Sequence, residues 1–358
     1  MKKSAYLIAL LGCLLFMLLV LPISAHADDI VVGVNLDISG DQMTPQEQDA
    51  ILDSMKGAGV RVIRAGIANN DKGLDFAQRV YAHGIQIEWS AWGIPSASGN
   101  MILSSADPDK FRAYFQPLLT KLESKGIVLA GLELGNEINW SNHDLGQTGT
   151  GRVLGLDDLS HDPKGQQVAK GYLQYIKILA VLKDIRDHSK LNQHTPIISA
   201  GLSPWEPGVT PENRDAIGLN ATLQFLRANG MDQFVDAYGI HFYPSGIATP
   251  AARLSSLRNL LAECGSSSGG GGKPCWITEW GLPVHSGKSC PVNDDNRVRI
   301  FNELRNDFRQ YAQQGRLKGI LLYTWRGGII ENHEDPNPYG AFICGAVTKS
   351  GRLAVEPM

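Results

Sequence analysis

Charge is thin in this chain and cysteine thinner: charged side chains make up 19% of 358 residues, and there are 5 cysteines. No block of lysine and arginine occurs, so nucleic acid and anionic membrane surfaces are poor partners. No glycine-rich dinucleotide fingerprint follows the first strand-like stretch, because NLDISGDQM at 35–43 lacks the spacing. Internal repeats are missing, and nothing marks a second domain. Metal-ligand spacing is also missing. ENHEDPNPYG at 331–340 carries His and acids, yet it reads as a solvated acidic loop, so neither metal nor cofactor is expected. One low-complexity patch, GSSSGGGGK at 265–273, reads as a flexible loop. Against these absences stands a hydrophobic content of 43%, enough for a sizeable core.

The N-terminus stands apart from that core. Lys2 and Lys3 precede an apolar run from Ala5 to Pro22, and SAHA at 24–27 supplies small residues for a cut after Ala27. These are the three regions of a secretory signal, so residues 1–27 are expected to be removed and the product secreted or periplasmic. An uncleaved membrane anchor is the rival, and a lipoprotein cut at LLGC, 10–13, is weaker because the apolar stretch before Cys13 is short. Loss of the two lysines takes the net charge from −3 to about −5. The mature chain is expected to be monomeric and free of the membrane. Cys264, Cys275, Cys290 and Cys344 remain, an even number that permits two disulfides in three connectivities.

From residue 28 onward, eight strand-like stretches alternate with helical ones. The strands are expected at 30–37, 60–67, 85–92, 127–135, 195–203, 234–243, 275–281 and 319–325. The helix at 44–59 opens with a capping box, Thr44 with Glu47, and Pro45 at its first position. That at 111–126 contains Pro117 and is expected to kink or split there. Over 163–189, Val168, Tyr172, Tyr175, Leu179 and Leu182 fall on one helical face. Further helices are expected near 219–229, 248–263 and 294–315. Eight strand-helix units in one run of this length indicate a single α/β domain at 28–358, a (β/α)8 TIM barrel; a doubly wound open sheet is the alternative.

In such a barrel the chemistry sits at the C-terminal ends of the strands. Those ends carry Asn35 and Asp37, Arg64, Glu88 with Trp89 and Trp92, Asn136 with Glu137 and Trp140, His241 with Tyr243, Glu279 with Trp280, and Trp325. Strands four and seven face each other across the mouth, so Glu137 and Glu279 can share one space. A paired carboxylate suits glycoside hydrolysis, where one group gives a proton and the other attacks the sugar carbon. Trp140, Trp280 and Trp325 offer flat apolar faces on which sugars stack. Glu133 shares parity with Glu137 and reads as a structural carboxylate one layer lower. Glu88 is either a buried structural charge or a sugar contact, and Asn35 and Asp37 either contact substrate or cap loops. Of Trp89 and Trp92, one should pack outward. His285 and His333 are weaker candidates for subsites.

LELGNEINW at 132–140, YGIHFYP at 238–244, WITEWGLP at 276–283, LLYTW at 321–325 and IRAGI at 63–67 resemble, in order, the motifs of clan A glycoside hydrolases. That clan includes the cellulase-like family 5 and the family 39 enzymes and the β-1,4-galactanases. The resemblance implies a retaining double displacement, with Glu137 as acid/base and Glu279 as nucleophile. It implies that Asn136 holds the sugar 2-hydroxyl, that Arg64 and Tyr243 bond Glu279, that His241 lines the sugar site, and that Trp325 floors it. Glu279, beside a guanidinium and a phenol, should stay ionised, whereas Glu137 should keep its proton near neutral pH. The carboxyl groups should lie about 5–5.5 Å apart; about 7 Å or more would favour inversion. An endo-acting enzyme on a β-linked glucan is expected, with an exo-acting β-glycosidase or a binding barrel without catalysis as alternatives. The segment 138–159 would build one wall of the cleft. Of the cysteine pairings, Cys264 with Cys275 would bracket the glycine-rich loop. Cys290 with Cys344 would then join the loops after strands seven and eight.

Overall fold

Eight parallel strands carry the fold: β1 Val31–Asn35, β2 Val62–Ala65, β3 Gln86–Ala91, β4 Gly131–Leu134, β5 Ile197–Ile198, β6 Tyr238–Phe242, β7 Cys275–Trp280 and β8 Leu317–Leu322. The computed structural model describes residues 30–36, 43–91, 102–140, 143–146, 149–205, 214–265, 272–284, 290–326 and 338–358. The strands lie in one sheet in the order β5-β4-β3-β2-β1-β8-β7-β6. Between β5 and β6 the ladder thins to the bridges Ile198–Ala237 and Leu202–Ile240, which close the sheet into a (β/α)8 barrel. Between strands run α1 Pro45–Gly57, α2 Asp71–Ala82, α3 Pro108–Ser124, α4 Pro163–Asp187, α5 Leu219–Ala228, α6 Pro250–Leu260 and α7 Asp295–Gln313, and α8 Lys349–Val355 follows β8.

Local chemistry explains the helix starts. Thr44 and Glu47 form the reciprocal capping box ahead of α1, with Pro45 at its first position. Asp107 and Asp162 cap α3 and α4, each followed by proline. Pro117 neither ends nor splits α3, which runs unbroken to Ser124. That helix is anchored on both sides of the proline, since Phe111, Phe115, Leu118, Leu119 and Leu122 are all buried, and such packing outweighs the lost backbone bond.

Two of the expected strands are shorter than their apolar stretches. β4 begins at Gly131 rather than 127, and β5 is two residues long. An apolar run does not itself fix the length of the ladder. Here Asn192 takes over the backbone at the start of β4, its side chain accepting from Leu129 N and donating to Ile127 O.

The core has two parts. A small inner cluster of Val62, Ile198, Ala237, Trp276 and Leu321 plugs the barrel. A large outer one fills the space between sheet and helices. Polar side chains occupy the barrel above the plug, and that layering sets up the site.

Both cysteine pairs are bonded as expected, Cys264 with Cys275 and Cys290 with Cys344. The first ties the residue before the glycine-rich loop to the first residue of β7. The second ties the segment after β7 to a two-stranded hairpin, Phe342–Ile343 with Ala346–Val347. No helix among the described residues is long and apolar enough to cross a membrane. The expected signal, 1–27, lies outside the described residues.

Candidate active site

At the end of β4 the backbone turns sharply. Gly135 has φ of 80°, and Glu137 has φ of 47°, a left-handed conformation that costs a residue with a side chain about 1–2 kcal/mol. Two bonds hold it there: Glu137 N donates to Gly201 O at 2.7 Å, and Trp140 N donates to Glu137 O at 2.8 Å. The turn brings Asn136 and Glu137 over the barrel, where a straight strand would have alternated them between core and helices.

A second irregularity delivers Glu279. Along β7, Trp276 belongs to the inner plug and Ile277 to the outer core. The register with β6 then slips: Ile277 pairs with Ile240, but Glu279 pairs with His241. The bulge lets both Thr278 and Glu279 face inward and sends Trp280 outward. On β6 the alternation stays regular, so His241 and Tyr243 share the inner face.

Arg64 is the hub. Its Nη1 donates to Asn35 Oδ1 at 2.8 Å and to Glu279 Oε1 at 2.7 Å, and its Nη2 donates to Asn136 Oδ1 at 2.6 Å. Its Nε donates to Glu133 Oε2 at 2.5 Å and lies 3.6 Å from Glu88 Oε2. One guanidinium therefore ties β1, β3, β4 and β7 to β2. Burial alone would lower its pKa, but the charges of Glu133 and Glu279 prevail and raise it. Glu133 is thus paired with a base, and it also accepts from Gly201 N at 2.8 Å. Glu88 is different. It is fully buried, neither oxygen has a hydrogen-bond partner among the described residues, and burial together with Glu133 pushes its carboxyl well above the usual range. It is a buried structural carboxyl whose neutral form burial favours. Asn35 neither caps a loop nor faces a cleft: its amide donates to Thr278 O at 2.9 Å while its oxygen takes the Arg64 bond.

Tyr243 donates to Glu279 Oε2 at 2.5 Å, and burial and that carboxylate raise its pKa, so it remains a donor. His241 Nδ1 stands between the two acids, 3.1 Å from Glu137 Oε1 and 3.4 Å from Glu279 Oε2. One oxygen of each acid and one ring nitrogen of His241 all lie within 4.8 Å of one another. That spacing also suits a metal, but Arg64 already brings one cation to Glu279. Gly201 makes the crowding possible, since a Cβ there would come within 2.4 Å of both His241 Nε2 and Thr278 Oγ1.

Glu137 and His241 shift in opposite directions. Burial pushes the Glu137 pKa up, but the His241 bond and charge and the Ser203 hydroxyl outweigh burial and lower it. Burial pushes His241 down, but Glu279 and Glu137 outweigh it and raise it. Both shifts favour the charged forms, a direction opposite to the one expected of Glu137 from burial alone.

Two of the three expected tryptophan platforms are elsewhere. Trp280 is fully buried against Phe301 and Phe308 of α7, turned outward by the β7 bulge. Trp325 is also fully buried; its Nε1 donates to Ser54 Oγ of α1 at 3.2 Å, and its ring stacks on Phe342. Neither has a face for a sugar. After β8 the chain leaves the sheet, and Trp325 goes with it into the helix layer. Tyr323, in parity with Gly319 and Leu321, takes the inward position and meets the Tyr243 ring at 6.0 Å. Trp140 stays half-buried and pairs with Trp205 at 5.5 Å, with the Arg214 guanidinium 5.4 Å from its ring. Trp89 is the outward member of its pair, stacked on Phe115. Asp37, Trp92, His285 and His333 lie outside the described residues, as does most of 331–340.

Ser203, Trp205 and Tyr323 were not legible as site residues. Ser203 donates to Glu137 Oε1 at 2.5 Å. Only Tyr323 left a signal, its parity within β8. Within the segment expected to line the cleft, a short parallel ladder pairs Val153–Leu154 with Ala216–Ile217. Beside it Asp215 is lowered to about 2: burial opposes this, but the Lys164 ammonium and the amides of Arg152 and Thr150 prevail.

No family model matches the chain, and no curated protein matches it in sequence. Solved structures match it in fold. A fungal β-1,4-galactanase structure is 15% identical, with a TM-score of 0.56 over 90% of this chain and 93% of that one. A β-glucosidase from Exiguobacterium marinum is 14% identical, with a TM-score of 0.58 over 92% and 97%. The β-glucosidase from Thermotoga maritima in complex with cyclophellitol is 13% identical, with a TM-score of 0.56 over 90% and 93%. Each likeness spans nearly the whole of both chains and establishes the barrel fold.

Proposed function

We propose that the protein is an exported retaining glycoside hydrolase acting on β-linked sugars. The observation that carries this reading is the opposed pair Glu137 and Glu279, with oxygens within 4.8 Å across one opening. A close pair supports double displacement, since inversion needs room for a water between the groups. Glu279, bonded by Arg64 and Tyr243, is the nucleophile, and Glu137 is the acid/base. The neighbouring galactanase and β-glucosidase folds support the reading.

The residues divide the work by charge. Arg64 and Tyr243 hold Glu279 ionised and aimed, so that it attacks the anomeric carbon as the glycosidic bond breaks. Asn136, itself held by Arg64, presents its amide to the sugar 2-hydroxyl. A bound sugar covers Glu137 and strengthens the burial that already pushes its pKa upward, so that it takes up the proton it then gives to the leaving oxygen. Once Glu279 is esterified, its charge is gone, and Glu137 acts as base toward water.

Trp140 and Trp205 flank Glu137 and supply the leaving-group side with an aromatic wall. That wall suits a polysaccharide, and endo action on a β-glucan is the proposed activity. The outward placement of Trp280 and Trp325 favours one second reading, an exo-acting β-glycosidase with a shorter binding surface. A panel of β-glucans, mannans, galactans and xylans separates the two: the first reading expects internal cleavage of a glucan, the second release of single sugars. The proposed chemistry fails if every activity in the panel survives intact in both Glu137→Ala and Glu279→Ala. The paired cysteines and the N-terminal sequence support export.

A further inference from the structure

Glu137 belongs to a small framework of its own. Ser203 Oγ donates to its Oε1 at 2.5 Å, and His241 Nδ1 meets the same oxygen at 3.1 Å. Ser203 in turn is held from both sides of its backbone by one side chain. Asn139 Oδ1 accepts from Ser203 N at 3.0 Å, and Asn139 Nδ2 donates to Ser203 O at 2.9 Å and to Ile217 O at 3.0 Å. Asn139 is fully buried, and its backbone oxygen accepts from Ile217 N at 2.8 Å. One residue, Ile138, separates the acid from the clamp. The turn after β4 therefore carries both Glu137 and the group that fixes the acid's neighbour on the β5 side.

We propose that Ser203, clamped by Asn139, is a positioning residue for Glu137: with His241 it holds Oε1 and so fixes the plane of the acid/base carboxyl. This rests on the glycosidase reading for its purpose, though not for its test. In the first half-reaction Glu279 bonds to the anomeric carbon as the glycosidic bond breaks, and the Glu137 carboxyl passes its proton to the departing oxygen. In the second, water bonds to that carbon as the bond to Glu279 breaks, and a water proton returns to the Glu137 carboxylate. The two donors on Oε1 keep the carboxyl plane from turning between steps. A bond to a charged oxygen also favours the anion, so Ser203 sets how readily Glu137 gives up its proton.

Titratable and charged groups that face Glu137 include His241 on β6, Glu279 on β7, Tyr243 after β6 and Arg64 on β2. All of them remain in Ser203→Ala, so a change in Glu137 titration there is attributable to the hydroxyl. Full-length protein labelled with carbon-13 at the glutamate carboxyl is titrated by NMR, with Glu137 assigned by comparison with Glu137→Gln. Ser203→Ala should raise the Glu137 midpoint by about one pH unit, and Ser203→Thr, which keeps a hydroxyl, should restore most of the shift. The basic limb of any pH–rate profile should move up by the same amount. A superimposable titration of wild type and Ser203→Ala overturns the inference, as does an equal shift in Ser203→Thr. The titration needs no substrate. Loss of the Ser203 effect with a catalytically dead Glu279→Gln sinks this inference alone, whereas a Ser203 effect in a protein that hydrolyses no glycoside sinks the functional reading alone.

Discussion

His241 Nδ1 lies 3.1 Å from Glu137 Oε1, and that bond raises the pKa of His241 while helping to lower that of Glu137. The linkage has a definite sign. Stability from a histidine whose folded pKa is raised is fully present below its unfolded pKa, near 6.5, and is lost as pH rises through the folded value. Stability from Glu137, whose folded pKa is lowered, is present above its unfolded pKa, near 4.5, and is lost as pH falls through the folded value. The melting temperature of wild type minus that of His241→Gln should therefore shrink between pH 6.5 and the folded pKa of His241. A difference that stays level or grows over that interval contradicts a raised pKa for His241.

Two acids next to Arg64 should respond in opposite ways. Glu133 accepts from Arg64 Nε at 2.5 Å, and Glu133→Gln strips that buried cation of a close counter-charge, a loss on the order of 3–5 kcal/mol. Burial raises the Glu88 pKa and favours its neutral form, which is close to an amide in charge and shape. Glu88→Gln should cost less than about 1 kcal/mol. Denaturant midpoints of the two variants check this, and equal costs would show that Glu88 is ionised.

The phenol of Tyr243 donates to Glu279 Oε2 at 2.5 Å. Tyr243→Phe removes one bond to a charged group while keeping the ring, so kcat/KM should fall about 10–100-fold with little change in folding. A variant within twofold of wild type would mean that Arg64 alone aims the carboxylate.

The aromatic wall makes its own demand. If Trp140 and Trp205 hold the leaving-group sugar, Trp205→Ala should raise KM for an oligosaccharide about tenfold and leave an activated aryl glycoside nearly unchanged. Equal losses on both substrates would place the pair on the other side of the scissile bond.

Much of this was legible in the residues. The eight units and the capping box at Thr44 and Glu47 follow from sequence patterns, and strand ends in a closed barrel bring Glu137 and Glu279 together. By contrast, the bonds of Arg64 and Tyr243 to Glu279 and the place of His241 came from the resemblance, and the cysteine pairs from choosing among three connectivities. What escaped lies where regular alternation breaks. The β7 bulge puts Thr278 and Glu279 on one face and turns Trp280 away, and parity read from a straight strand cannot show it. Trp325 left the cleft because the chain leaves the sheet after β8, yielding the inward place to Tyr323. Ser203 gave no warning, because a serine past a two-residue strand is ordinary until Asn139 is seen to grip it. The direction of the Glu137 shift escaped for an electrostatic reason: the histidine between the acids opposes the effect of burial, and motif spacing carries no information about that opposition.

The role of Glu279 is tested most directly with Glu279→Ala, an activated β-glycoside and sodium azide. The account predicts turnover reduced by about 10³-fold or more without azide, and partial recovery with it, the product being the α-glycosyl azide seen by NMR. Near-normal hydrolysis by Glu279→Ala in the absence of azide would contradict it.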